Sequence, residues 1–173
     1  MNVYLNNIWK FLGLFALQIL IISHLDLSYY INPYVHLLFI LTLPVNIPIA
    51  YFLLIAFVSG LTLDMFLDTT GLHAFASVFL AFVRHPLLNL LTPKGSYEIM
   101  QQPSINSSSV TWFVNYLFIH SFIYLFIYFL LEVFSFRDFH ITFFKTLVSV
   151  VFSVLLMTII AYLFSPNKKR RGA

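Results

Sequence analysis

The sequence contains no cysteine, so no disulfide framework, thiolate nucleophile or cysteine-based metal site can be built from it. Charge is nearly as scarce. Asp, Glu, Lys and Arg together make 9% of the chain, against about 25% in soluble domains. No glycine-rich phosphate loop, paired-histidine metal motif or Ser/His/Asp set assembles from the spacing. The expectation is therefore a protein that is not an enzyme and carries no cofactor. The six histidines, His24, His36, His73, His85, His120 and His140, are scattered, and they suit interfacial or hydrogen-bonded structural positions better than metal ligation.

What the chain does have is apolar sequence. Hydrophobic residues make 61% of it, including 21 Phe and 10 Tyr, and they fall in blocks long enough for a hydrocarbon core of about 30 Å. Polar residues collect between the blocks and near their ends, as in membrane helices with aromatic interfacial anchors. An outer-membrane barrel is excluded, because barrels show short alternating segments. The net charge of +3 comes largely from one run, Lys168, Lys169, Arg170 and Arg171. A juxtamembrane run of this kind faces anionic lipid and fixes topology; it does not point to nucleic acid. The first apolar segment follows a short uncharged lead with no small-residue cleavage site, so it reads as a retained span.

Six segments can be drawn, giving an all-α membrane protein, a bundle of six transmembrane helices over residues 7–23, 30–43, 48–67, 72–90, 110–134 and 140–164. Pro44 and Pro48 bracket a sharp connection, and Pro48 opens the third span, where a missing N–H costs nothing. Residues 92–109, with Pro93, Gly95, Pro103 and three serines, read as a loop. Residues 165–173 form the basic tail. Cytoplasmic loops carry the Lys and Arg excess. With both termini inside, Lys10, Arg84, Lys94 and the four tail residues lie in the cytoplasm, against Arg137 and Lys145 outside. This N-in, C-in topology hangs on the second segment, which is short and has Pro33 in its first turns. Were it re-entrant, the termini would fall on opposite sides.

Three sets of residues stand out as candidate sites. Gly60, Asp64 and Asp68 are four apart and share one helix face at the outer end of the third span. A carboxylate at a helix C-terminus inside a span opposes the helix dipole and needs compensation. Either Asp64 pairs with a donor such as His73 across the Asp68–Gly71 turn, clamping two helices or lining an outward pocket, or it reaches interfacial water while Asp68 or Thr70 caps the fourth helix and Gly71 permits the turn. In the fifth span Tyr116, His120, Tyr124, Tyr128 and Glu132 recur every four residues, a ridge expected to pack on a partner helix rather than to relay protons. In the sixth, Thr142, Thr146, Ser149 and Ser153 form a small polar seam suited to close helix contact. Lys145 lies near Glu132 and Asp138, which suggests a local charge pair.

The run from Pro33 through Pro44 and Pro48 to Ser59-Gly60-Leu61-x-x-Asp64 and Gly71-Leu72-His73-Ala74 resembles the rod shape-determining protein MreD family. The resemblance covers residues 32–74, with agreement in hydropathy elsewhere. It implies a non-catalytic scaffold subunit of the bacterial elongation machinery, in the cytoplasmic (inner) membrane, supporting lateral peptidoglycan synthesis and cell shape. The partners it implies are an MreC-like protein first, then MreB, RodA and a class B penicillin-binding protein. It also implies that Gly60, Asp64, Gly71 and His73 serve structure or interface. That family is similar in layout to the substrate-binding components of energy-coupling-factor vitamin transporters, which gives an alternative: a vitamin-type binder with an outward pocket. The first span counts against it, because Ala16 has no alanine four residues away on either side.

Overall fold

A computed structural model describes residues 3–24, 30–91, 102–106, 109–134 and 139–164. The helices are α1 (Val3–Leu20), α2 (Leu37–Leu41), α3 (Ile49–Phe66), α4 (Leu72–Leu91), α5 (Val110–Val133) and α6 (Phe139–Leu163), with a 3-10 turn at Ile22–His24. The basic run Lys168–Arg171, most of the loop over 92–109, and Lys94, Arg137 and Asp138 lie outside the described residues.

Four of these helices, α3, α4, α5 and α6, are long and apolar enough to cross a membrane. This is a helical membrane protein. Its helices are apolar all round, as lipid-embedded helices are. Tyr51, Phe82, Phe144 and Leu163 point outward, while Ser59, Ser77, Ser121 and Thr146 are buried. Polar side chains are thus turned toward protein and apolar ones toward lipid, because an unsatisfied polar group costs most in hydrocarbon.

Local chemistry sets the helix ends. Pro48, extended at ψ 139°, precedes α3. It sits just outside the helix rather than in its first turn. Ser109 caps α5 by accepting the Trp112 N–H at 3.2 Å, and α5 ends at Phe134 in the left-handed region (φ 42°). Helix α4 continues through Pro86 to Leu91.

The chain packs as two antiparallel pairs, α3 with α4 and α5 with α6, joined by α4 against α5. At one end of the bundle lie the α3–α4 turn and the Glu132–Lys145 pair. At the other, Trp112 Nε1 donates to the Leu91 carbonyl at 2.9 Å, tying the end of α4 to the start of α5.

The second predicted span is corrected by the structure. Over residues 30–43 only Leu37–Leu41 is α-helical, and residues 30–36 carry no helix. Pro33 lacks an N–H and biases the residue before it toward extended backbone. The freed backbone groups are met by side chains. Asn32 N–H donates to Ser149 Oγ (3.1 Å), Tyr34 N–H to Ser153 Oγ (2.8 Å) and Val35 N–H to Gln18 Oε1 (2.8 Å). Gln18 Nε2 donates to the Pro33 carbonyl (3.3 Å), and Ser149 Oγ to that of Tyr30 (3.2 Å). Irregular backbone at membrane depth survives only where protein satisfies it in this way. The segment runs along the bundle from Tyr34, whose ring centroid lies 5.4 Å from that of Tyr128, to Leu41, whose carbonyl accepts from Tyr116 Oη at 2.9 Å. Extended residues rise by about 3.3 Å and helical ones by about 1.5 Å, so the path from Tyr34 to Leu41 covers roughly 16 Å.

Candidate functional site

The Gly60–Ala74 region folds into a single lock between α3 and α4. Asp64 lies in the last turn of α3 and is buried. Its Oδ1 accepts the His73 N–H at 3.0 Å and its Oδ2 the Ala74 N–H at 2.8 Å. The Thr69 hydroxyl donates to Oδ1 as well. These two amides are the second and third of α4, those an N-cap side chain normally takes. Asp64 therefore caps a helix that begins eight residues after it, and the positive end of the α4 dipole offsets the unfavourable C-terminal end of α3. The partner of Asp64 is the backbone of His73, not its imidazole.

Gly60 is required by the same contact. A Cβ built there would lie 2.4 Å from the His73 carbonyl oxygen and 2.5 Å from Ala74 Cα. The turn is closed by two residues in the left-handed region, Asp68 at φ 53° and Gly71 at φ 85°, a conformation that glycine adopts without strain and Asp tolerates.

The imidazole of His73 is left to face the bundle. Its Nδ1 is 2.8 Å from Tyr124 Oη, and its ring stacks on Tyr128 with centroids 4.4 Å apart. Tyr34 and His36, from the non-helical segment, approach the same ring at 5.3 and 6.1 Å. His36 is fully buried, and neither of its ring nitrogens has a protein partner among the described residues. The ridge on α5 thus meets α4 and residues 30–43. Tyr116, His120, Tyr124 and Tyr128 are all buried. His120 turns Nδ1 to its own helix, 2.8 Å from the Tyr116 carbonyl. Glu132, at the end of the ridge, accepts from Lys145 Nζ at 2.8 Å.

The α6 seam has a sharper role than helix approach. Thr142, Thr146, Ser149 and Ser153 are buried, and the two serines bind the backbone of residues 30–34. Thr146 Oγ1 back-bonds to the Thr142 carbonyl at 2.8 Å.

Two residues outside the sequence-derived sets prove central. Gln18 serves the non-helical segment, and its signal was the lone amide in the apolar run 11–22. Arg84, read from the sequence only as a topology marker, is buried. Its Nε donates to Tyr116 Oη (2.9 Å) and its Nη2 to the carbonyls of Leu41 (3.2 Å) and Leu43 (2.7 Å), while Phe52 lies 4.8 Å beneath the guanidinium.

Among the described residues no cluster of three His, Asp or Glu could hold a metal ion. The chemistry on display is hydrogen bonding between chain segments. No family model matches the chain, and neither a curated protein nor a solved structure does.

Proposed function

We propose that this chain is an MreD-type scaffold: a non-catalytic subunit of the bacterial elongation complex in the cytoplasmic membrane, holding partner proteins through its helix faces. The observation that carries the reading is the use made of Asp64. Both carboxylate oxygens, Gly60 and the backbone of His73 and Ala74 are consumed in joining α3 to α4. A motif spent on internal architecture suits a protein whose output is a shaped surface.

The reading includes six crossings with both termini in the cytoplasm. In this reading residues 30–43 supply the second crossing in half-extended form, since extended backbone rises about 3.3 Å per residue against about 1.5 Å in a helix. Support for it comes from the path between Tyr34, beside Tyr128, and Leu41, bonded to Tyr116.

The vitamin-binder alternative needs convergent polar groups lining an outward pocket. Asp64 is already satisfied by the α4 amides, and the rings of Tyr34, His73, Tyr124 and Tyr128 pack on one another. The scaffold is therefore preferred.

The test is affinity isolation from mildly solubilised membranes, together with depletion in a rod-shaped host. Recovery of an MreC-like protein and rounding of the cells are the expected results. Normal rods after depletion and no such partner would sink the proposal. Thermal stabilisation by a vitamin, through linkage to the folded state, would favour the binder instead.

A further inference from the structure

A groove of about 510 Å³ opens between α3, α4 and the 43–48 connection, with Val45, Ile47, Ile49, Phe52, Phe82 and Pro86 among its walls and Arg84 in its lining. We infer that this groove holds an anionic phospholipid, its acyl chain along the apolar wall and its phosphate at Arg84. Three observations converge on that occupant.

The first is charge. Arg84 is 4% exposed, yet its partners among the described residues are a phenol, two carbonyls and a ring face, all neutral. An intramembrane cation without a counter-ion is costly. Among the described residues the carboxylates are Asp64, Asp68 and Glu132, all at the opposite end of the bundle. The hydrogen bonds that the guanidinium makes to described residues use Nε and Nη2. Phosphate is the anion that guanidinium geometry matches best.

The second is a hydrogen-bond acceptor on the same wall. Pro86 has no N–H, so the Phe82 carbonyl loses its usual donor four residues on, and both residues line the groove. A headgroup with hydroxyls, such as phosphoglycerol, offers donors to that carbonyl and an anion to Arg84.

The third is position. Arg84 lies seven residues before the end of α4, about 10 Å along the helix, beside a connection whose Asn46 is exposed. Phe82 and Ile49 are 65% and 50% exposed on the surface that a bilayer covers, so the groove opens toward lipid near the headgroup level.

The test is native mass spectrometry of the full chain with equal amounts of phosphatidylglycerol and phosphatidylcholine, comparing the unaltered protein with Ile47→Trp, which fills the groove, and Arg84→Gln. A basic tail attracts anionic lipid non-specifically, but it is present in all three proteins, so the difference between them isolates the groove. The unaltered protein should retain phosphatidylglycerol over phosphatidylcholine by about tenfold, the scale of one charge-assisted contact. Ile47→Trp, which keeps Arg84 and its internal bonds, should reduce that ratio to near unity. An equal ratio in the unaltered protein, an undiminished preference in Ile47→Trp, or displacement of the lipid by millimolar inorganic phosphate would each overturn the inference. So would recovery of an acidic partner helix in the groove in place of lipid.

Discussion

Asp64 Oδ1 accepts the backbone N–H of His73 at 3.0 Å, so a side chain from one helix serves as the N-cap of the next. The bond makes the α3–α4 hairpin a single unit, and it ties the fold to the identity of residue 64.

Replacing Asp64 with Ala orphans two buried amides and the Thr69 hydroxyl. Each unsatisfied group costs about 1–3 kcal/mol, and the cap itself about 1 kcal/mol. Asp64→Ala should therefore lose at least about 2 kcal/mol, read as a lower unfolding midpoint in detergent. Asp64→Asn keeps one acceptor oxygen and should fall between Ala and the native residue. Equal stability of all three would show that the cap carries no weight.

Gly60 and Gly13 make a matched pair. A methyl at Gly60 meets α4 backbone at 2.4–2.7 Å, whereas one at Gly13 meets nothing within 4 Å. Gly60→Ala must push the helices apart, at a cost of about 1–3 kcal/mol. Gly13→Ala should be neutral or stabilising by up to about 1 kcal/mol, since Ala is the better helix former. Thermal melts of the two variants decide the matter, and a stable Gly60→Ala protein would contradict the close approach.

Ser153→Ala and Ser149→Ala each remove the acceptor for one amide of residues 32–34. With no water at that depth the loss should be about 1–3 kcal/mol apiece, and Gln18→Leu should act on the same segment through Val35 and Pro33. Because all three serve one strand of backbone, combining Gln18→Leu with Ser153→Ala should be non-additive. Hydrogen exchange at Asn32, Tyr34 and Val35 reads the effect directly, and unchanged protection in the variants would remove these side chains from the account.

The long helices were legible because a run of about 20 apolar residues has one structural outcome in lipid. The Gly60, Asp64, Gly71 and His73 set was legible as a group, since glycines and a carboxylate at such spacing demand a reason. Their geometry was not: nothing in the sequence says that Asp64 reaches across the turn to amides nine and ten residues on, because that contact depends on how α3 and α4 close. The second segment was misread for a related reason. Hydropathy records that residues 30–43 are buried, while the partners that make extended backbone tolerable, Gln18, Ser149 and Ser153, lie in other helices more than ten residues away. Arg84 was overlooked as a buried group because a cation near a helix end also fits the cytoplasmic excess of Lys and Arg.

A chain free of cysteine allows its topology to be read by introducing single thiols. Thr70 and Asn46 are both exposed, the first in the α3–α4 turn and the second in the connection before α3, so α3 separates them. If both termini are cytoplasmic, a membrane-impermeant maleimide added to intact cells should label Thr70→Cys and leave Asn46→Cys unreacted until the membrane is opened. The reverse pattern would invert the bundle and place Arg84 toward the outer face. Labelling of Asn46 and Thr70 alike from outside would mean that α3 does not cross at all, against its length of 18 residues and its apolar character. A third thiol in the basic tail and a fourth near the N-terminus complete the experiment. Tail and Asn46 on the same side fit the four crossings by α3, α4, α5 and α6 that separate them. An N-terminus on the side of Asn46 fits residues 30–43 as a crossing, and one on the opposite side would make that half-extended segment re-entrant.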